Sequence, residues 1–185
     1  METKFLIPER CFLMVIDPQE RLMAAIHQAE RVSKNTALLA HLAQAFALPV
    51  IPTTQYVKGL GPYIEDLRPL FERYTTYDKV EFSALKNRAI YEAVKALQPR
   101  HNTLILCGVE THICVYQTAL SALQQGLRVV IAADATSSRT PENMQYGLHR
   151  LRDIGAEIFS TEMIIYELLE KAGTPTFKAL LPYLK

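Results

Sequence analysis

The sequence predicts an α/β fold, a doubly wound, six-stranded and mostly parallel sheet with helices on both faces. Two patterns indicate it. Short runs of apolar residues alternate with longer segments whose apolar residues recur at helical spacing. The apolar runs are continuous, as expected of strands that are covered on both sides. Right-handed crossovers favour a doubly wound sheet. With the expected strand order 3-2-1-4-5-6, strands 1 and 4 flank the point where the order reverses.

Six predicted strands alternate with helices along the chain. The strands are short apolar runs, and they cover residues 11–16, 49–53, 74–79, 103–107, 127–132 and 157–159. The segments with apolar residues three or four positions apart predict helices over residues 29–47, 87–97, 112–125, 141–153, 163–171 and 177–184. No internal repeat or linker interrupts this alternation, so a single domain over residues 1–185 is expected.

Proline, glycine and capping residues set several boundaries. Asp17 ends the first strand because it precedes Pro18, and a residue before proline avoids the helical region. Gly108 predicts a tight turn after the fourth strand, and Thr111 is a candidate N-cap for the helix that follows. That helix is expected to end at Gly126, a position suited to left-handed backbone geometry.

The composition excludes several classes of protein. The net charge is +1 with no run of five like charges, so there is no electrostatic case for binding nucleic acid or an anionic membrane. The apolar run at residues 11–16 is too short for a signal segment or a membrane span. The three cysteines are few and irregularly spaced, which predicts no disulfide framework, no zinc site and a cytoplasmic location.

Cys114 is the most informative residue, because it falls in the first turn of a predicted helix. Free backbone N–H groups and the positive end of the helix dipole lie there, so we expect a thiol that ionises easily. The alternative is that Cys114 is a small buried apolar residue. Cys11 and Cys107 lie inside apolar strands, where core packing is the expected role.

Two further residues are expected to meet Cys114 in one crevice. Asp17 follows strand 1 and Lys79 ends strand 3, while Cys114 follows strand 4, and ligands in such sheets bind beyond the carboxyl ends of strands. Asp17 is a candidate general base, Lys79 stabilises carboxylate and thiolate, and backbone N–H groups between Glu110 and Cys114 are candidates for the oxyanion hole. The alternatives are a turn aspartate and a surface lysine.

The remaining site predictions concern the pocket. Gln19, Tyr56, Leu60 and Phe82 are predicted to contact substrate, with plain packing as the alternative.

His112 is two positions from Cys114, and side chains at that offset do not face each other on a helix, so it is not expected to be the base. No G-x-G-x-x-G, P-loop or G-x-S-x-G motif is present.

These residues, in this order, resemble the isochorismatase-like cysteine hydrolase superfamily, and most closely the isochorismatase-domain-containing proteins. The resemblance covers nearly the whole chain and is specific only when its motifs are taken together. It is carried by the segments at residues 12–19, 53–56, 59–62, 79–83, 107–115 and 134–139.

The resemblance implies a catalytic triad of Asp17, Lys79 and Cys114, a cis peptide bond before Glu110, and a homo-oligomer. True isochorismatases lack the cysteine, and nicotinamidases carry metal-binding histidines after strand 2, where this chain has Gln55-Tyr-Val-Lys. The expected function is therefore a hydrolase without metal or cofactor that cleaves an amide or carbamoyl C–N bond of a small molecule through a thioester. A thiol redox protein and a non-enzymatic scaffold are the alternatives.

Overall fold

The computed structural model describes residues 5–184 and has the predicted architecture. One sheet contains six strands, all parallel, in the order 3-2-1-4-5-6. The strands are β1 (Cys11–Ile16), β2 (Val50–Gln55), β3 (Tyr77–Lys79), β4 (Thr103–Val109), β5 (Arg128–Ser137) and β6 (Glu157–Phe159). Because parallel strands all end at the same edge, this topology collects the loops that follow β1, β2, β3 and β4 along one rim.

Helices cover both faces of the sheet. The α-helices are α1 (Glu20–Met23), α2 (Ala29–Ala45), α3 (Val57–Leu60), α4 (Arg68–Phe71), α5 (Arg88–Leu97), α6 (Tyr116–Gln124), α7 (Pro141–Asp153), α8 (Thr161–Leu169) and α9 (Pro175–Leu180). Short 3-10 turns lie at Pro8–Arg10, Ala84–Lys86 and Leu181–Tyr183, and a π-helix lies at Thr111–Val115. No helix in residues 5–184 is long and apolar enough to cross a membrane.

The central strand β1 shows how the two cores are separated. Leu13 and Val15 pack into the core beneath α2 and α8, while Phe12, Met14 and Ile16 pack into the core beneath α5 and α6. All six residues of β1 are buried, which agrees with the continuous apolar run in the sequence. Each such side chain stabilises the fold by roughly 1.5–3 kcal/mol through its removal from water.

The prediction of a turn at Gly108 is wrong, because β4 continues through it to Val109. Gly108 has a φ of 108°, and a Cβ atom there would lie 2.0 Å from the Ile16 carbonyl oxygen. The glycine is needed because β1 and β4 approach too closely for any side chain. It therefore extends the strand toward Cys114 where the sequence suggested a break.

The N-cap prediction for Thr111 is also wrong. Glu110 is the residue before the π-helix, and no side chain caps it. The Thr111 hydroxyl instead lies 2.9 Å from the hydroxyl of Thr136, which donates to the Gly108 carbonyl oxygen at 2.7 Å. This buried chain of hydrogen bonds joins the end of β4 to β5 and replaces the expected cap.

Other boundaries differ by a few residues or agree with the structure. The predicted bounds at residues 11–16, 141–153 and 157–159 are reproduced, and Gly126 has the expected left-handed φ of 79°. Strand β5 runs to Ser137, although the sequence predicted an end at residue 132. The residues after 132 are largely polar, but the last of them still pair with β4. The helices α1, α3 and α4 have four residues each, too few to show a periodicity in sequence.

Candidate active site

The centre of the candidate site is an ion pair with no exposure to solvent. Lys79 Nζ lies 2.7 Å from Asp17 Oδ2, and both side chains are completely buried. Asp17 follows β1 and Lys79 is the last residue of β3, so the sheet order brings them together across β2. Removing two opposite charges from water is costly, and a buried pair of this kind therefore calls for a functional explanation.

Asp17 is held in a conformation that side-chain-bearing residues rarely adopt. Its φ is 51°, in the left-handed region, and strained residues of this sort cluster at functional sites. The Thr53 hydroxyl donates to Asp17 Oδ1 at 2.7 Å, and the Asp17 amide donates to the Thr53 carbonyl oxygen at 3.2 Å. One carboxylate oxygen thus faces β2 and the other faces Lys79, which fixes the orientation of the group.

Gln55 gives the ammonium its second acceptor, and Gln19 holds the main chain of Gln55. Gln55 Oε1 accepts a second hydrogen bond from Lys79 Nζ at 2.6 Å, and Gln55 Nε2 donates to the Val80 carbonyl oxygen at 2.9 Å. Gln19 binds the main chain of Gln55 on both sides, accepting from its amide at 2.7 Å and donating to its carbonyl oxygen at 3.2 Å. It also donates to the Gly61 carbonyl oxygen at 2.7 Å.

Cys114 approaches this pair from the π-helix that follows β4. It is 7% exposed, and the charges of the Asp17 carboxylate and the Lys79 ammonium both act on its thiol. The backbone N–H of Glu110 also acts on the thiol. The peptide bond between Val109 and Glu110 is cis, as the resemblance implied. The three residues from distant parts of the chain therefore do meet at one rim.

The thiol does not ionise as easily as the sequence suggested. The pKa of Cys114 is raised to about 12, chiefly by burial and also by the Asp17 carboxylate, while Lys79 and the Glu110 amide oppose the rise. Burial also raises the pKa of Asp17 above its ordinary value of 3.8, and this outweighs the opposing effects of Lys79 and Thr53. The resting site accordingly holds a neutral thiol beside a carboxylate of increased basicity.

The segment that carries the thiol is fixed from two sides. Glu110 is buried, and its Oε2 accepts from the backbone N of Arg139 at 3.0 Å and from Arg139 Nε at 3.1 Å. On the other side, α7 packs so closely that a Cβ atom at Gly147 would lie 2.9 Å from Thr111 Cγ2 and 3.0 Å from the His112 amide nitrogen. The π-helix therefore has little freedom to move away from Asp17.

The predicted pocket residues fall into two groups. Tyr56 and Phe82 are 53% and 55% exposed at the rim, and Leu60 is partly buried in α3 beside them. Gln19 is fully buried, and both N–H donors of its amide are taken by main-chain carbonyl groups. This geometry favours a role for Gln19 in holding the loop rather than in contacting substrate.

Three features of the site were missed from the sequence. Thr53 ends the predicted second strand and Gln55 follows it, and only the strand register shows that they lie beside Asp17 and Lys79. The pairing of Glu110 with Arg139 joins residues from two different strand ends. His112, which was not expected to be the base, has its Nδ1 2.9 Å from the Ser138 hydroxyl. Within residues 5–184, no group of three or more His, Cys, Asp or Glu residues could hold a metal ion.

Comparison with known proteins gives the family. The family model described as Isochorismatase domain matches residues 11–163, which include all three residues of the ion-pair and thiol cluster. The chain belongs to the isochorismatase domain family. Two curated relatives extend this match over nearly the whole chain. The secreted isochorismatase effector Isc1 of Phytophthora sojae is 34% identical over 183 residues, covering 97% of this chain and 87% of the relative.

The second relative is isochorismatase domain-containing protein 2B of Mus musculus. It is 32% identical over 180 residues, covering 97% of this chain and 83% of the mouse protein. The family assignment and the predicted resemblance therefore agree. Isc1 is described as secreted, so the cytoplasmic location of this chain stays a prediction.

Solved structures of similar fold include enzymes of different descriptions. The MAR1 ribonuclease of Caenorhabditis elegans has a TM-score of 0.90 at 28% identity, with 98% of this chain and 92% of that chain covered. YcaC of Pseudomonas aeruginosa, solved with hexane-2,5-diol and covalent acrylamide, has a TM-score of 0.91 at 26% identity, with 99% and 93% covered. YcaC of Escherichia coli, described as an octameric hydrolase of unknown specificity, shares the fold with a TM-score of 0.91 at 24% identity, with 99% and 92% covered.

Proposed function

We propose that the protein is a cysteine hydrolase that cleaves an amide or carbamoyl C–N bond of a small molecule without a metal ion. The observation that supports this best is the fully buried pair of Asp17 and Lys79, whose two charges both act on the Cys114 thiol. A thiol needs a base to act as a nucleophile when its own pKa is high. The raised pKa of Asp17 suits that base to accept a proton.

The first half of the reaction forms a thioester. Cys114 Sγ attacks the carbonyl carbon while its proton passes to Asp17, and the carbonyl π electrons move to oxygen. The backbone N–H groups of Glu110 and Cys114 are the proposed donors to this oxyanion. Asp17 then gives its proton to the leaving nitrogen, the C–N bond breaks, and an amine or ammonia departs.

The second half restores the enzyme. A water molecule takes the place of the amine, and Asp17 removes its proton as the oxygen attacks the thioester carbon. The C–S bond breaks, the thiolate recovers the proton, and a carboxylic or carbamic acid leaves. Throughout, the Lys79 ammonium offsets the negative charge that moves between carboxylate and sulfur. Opposite unit charges about 4 Å apart interact by roughly 4 kcal/mol at an effective dielectric constant near 20.

The redox alternative lacks a resolving thiol. Cys107 packs into the core on one face of the sheet and Cys114 into the core on the other, so the sheet separates the two sulfurs. All three cysteines are free, and Cys11 and Cys107 have no solvent exposure. Oxidation of Cys114 would stop at the sulfenic acid unless an external thiol reduced it. The scaffold alternative gives no reason for burying an ion pair against a thiol.

The comparisons support a nucleophilic site, and they also suggest two kinds of substrate other than an amide. Acrylamide is an electrophile, and its covalent attachment to the Pseudomonas YcaC is consistent with nucleophilic chemistry on this fold. The relatives named isochorismatase and ribonuclease suggest a vinyl ether and RNA. The net charge of +1 does not favour a polyanion such as RNA.

The exposed rim supports assembly as a second part of the proposal. Tyr56, Phe82 and Val80, the last 69% exposed, present apolar surface beside the site. An apolar rim of this kind is typical of a surface that another subunit covers, and the Escherichia coli relative is described as an octamer. We therefore expect a homo-oligomer, which sedimentation velocity would detect as a mass at least twice that of the 20.9 kDa chain.

The test is a panel of small amides and carbamoyl compounds, with ammonia release as the measurement. Isochorismate and a short RNA are included in the same panel. For any compound that is turned over, rapid acid quenching and peptide mass spectrometry should find the acyl group on Cys114. Ammonia release with no acyl adduct on Cys114, or cleavage of only the vinyl ether or the RNA, would contradict the proposal.

A further inference from the structure

The Lys79 ammonium has three N–H donors, and the structure accounts for two of them. Within residues 5–184, its acceptors are Asp17 Oδ2 at 2.7 Å and Gln55 Oε1 at 2.6 Å. A buried ammonium is stable only where acceptors surround it, and their positions determine where the third donor points. The third donor has no acceptor among these contacts, and the Lys79 charge acts on the Cys114 thiol.

The orientation of the Gln55 amide is fixed by chemistry. Its Nε2 donates to the Val80 carbonyl oxygen, which can only accept, so Oε1 must face Lys79. The main chain of Gln55 is held in turn by the Gln19 side chain and is paired in register with Lys79 itself. The carbonyl oxygen of Gln55 is thus a preorganised neutral acceptor.

A neutral acceptor has a consequence that a second carboxylate would not have. Asp17 and Lys79 together carry no net charge, and Gln55 adds no charge. The positive field of the ammonium at the Cys114 sulfur is therefore weakened by one carboxylate and not by two. The acceptor holds the ammonium in place without competing with the thiolate for its charge.

We infer that Gln55 is a positioning residue that acts through Lys79, aiming the third ammonium donor at the Cys114 sulfur during the reaction. The inference rests on the proposed function, because it assigns Lys79 to the stabilisation of the thiolate. Gln19 has a different role, since it contacts Gln55 and Gly61 but not Lys79. The two glutamines therefore form a matched pair in which only one touches the ammonium.

The test compares Gln55→Leu with Gln19→Leu by the pH dependence of Cys114 alkylation with iodoacetamide, followed by peptide mass spectrometry. In Gln55→Leu, the less firmly held ammonium should slow alkylation about tenfold at pH 7 and move the rate profile upward by about one pH unit. Gln19→Leu should lower the melting temperature and move the profile of Cys114 much less, because the Gln55 side chain and its strand pairing with Lys79 remain. Gln124→Leu, an exposed change at the far end of α6, is the inert control.

A purely structural role for Gln55 predicts a different result. Gln55→Leu and Gln19→Leu would then both lower the melting temperature, and neither would shift the alkylation profile, which would overturn the inference. If Gln55→Leu does not fold, Gln55→Asn withdraws the carbonyl group by one methylene and gives the same two outcomes. The measurement needs no substrate. A shifted profile in a protein that hydrolyses no amide would overturn the proposed function and leave standing only the part of the inference in which Gln55 orients the Lys79 ammonium toward the sulfur.

Discussion

Cys107 and Cys114 lie seven positions apart and have thiols of similar acidity in opposite surroundings. Burial raises the pKa of each to about 12. Cys107 lies inside β4, fully buried, and its sulfur is 3.8 Å from the Met14 carbonyl oxygen. Cys114 lies in the π-helix with a carboxylate, an ammonium and a backbone amide around its sulfur. Burial alone therefore makes a thiol inert, and the groups that can take its proton decide whether it reacts.

The largest expected effect separates the two thiols directly. Cys114→Ala should reduce turnover of any hydrolysed amide by at least about 10⁴-fold, because it removes the nucleophile. Cys107→Ala should keep turnover within about twofold of the wild type and cost stability through a small cavity. Ammonia release and urea denaturation measure the two quantities. Wild-type turnover in Cys114→Ala would show that the thiol is not the nucleophile.

Removing the charged neighbours should make Cys114 resemble Cys107. Asp17→Asn takes away the base and should lower turnover by about 10²–10⁴-fold while the Thr53 contact remains. Lys79→Met leaves the Asp17 carboxylate buried without its cation, and breaking a buried pair costs about 3–5 kcal/mol of unfolding free energy. In both variants, peptide mass spectrometry should find Cys114 without an acyl group after incubation with the substrate. An acyl adduct that accumulates at the wild-type rate in Asp17→Asn would exclude Asp17 as the base.

The two pKa values predict the pH dependence of kcat/KM. Asp17 must be ionised to accept a proton, and its pKa is raised above 3.8, so activity should fall in acid at a higher pH than for a free aspartate. The thiol pKa of about 12 predicts no further rise as the pH passes the ordinary thiol value of 9.0. A rate that instead increases through pH 9 would indicate that free thiolate attacks without help from Asp17.

The smallest expected effect concerns the exposed aromatic residues at the rim of the Cys114 site, which the fully buried Cys107 does not have around it. Phe82→Ala should raise KM by about three- to tenfold and leave kcat nearly unchanged, because the ring is half exposed and touches no reacting atom. Tyr146→Ala is the matched control, since Tyr146 is 68% exposed on α7. Equal KM values in the two variants would remove Phe82 from the pocket.

The doubly wound parallel sheet was predictable because it depends on long apolar runs and on the handedness of crossovers, and the expected strand order is confirmed. Strand β1 and helix α7 agree to the residue with the sequence pattern. The meeting of Asp17, Lys79 and Cys114 followed from the same topology, since each lies at a carboxyl end of a strand. Their chemical roles stay a prediction until turnover is measured.

The local geometry of the thiol segment was not predictable. Gly108 looked like a turn because its close contact with Ile16 depends on a strand far away in sequence. Thr111 looked like a cap because the sequence does not show that its hydrogen-bond partner, Thr136 on β5, lies beside it. The acidity of the thiol was misjudged for the same reason, since a helix position is visible in sequence and the depth of burial is not.

The contact at Gly147 has a practical consequence for redesign. Helix α7 packs against the segment that carries Cys114 through the backbone of Gly147, so one methyl group added there would push directly on Thr111 and His112. Libraries meant to change substrate preference should therefore keep Gly147 fixed and sample the loop after β2 instead. Conversely, Gly147→Ala should lower activity by displacing the segment that carries Cys114, without altering any group that contacts the substrate.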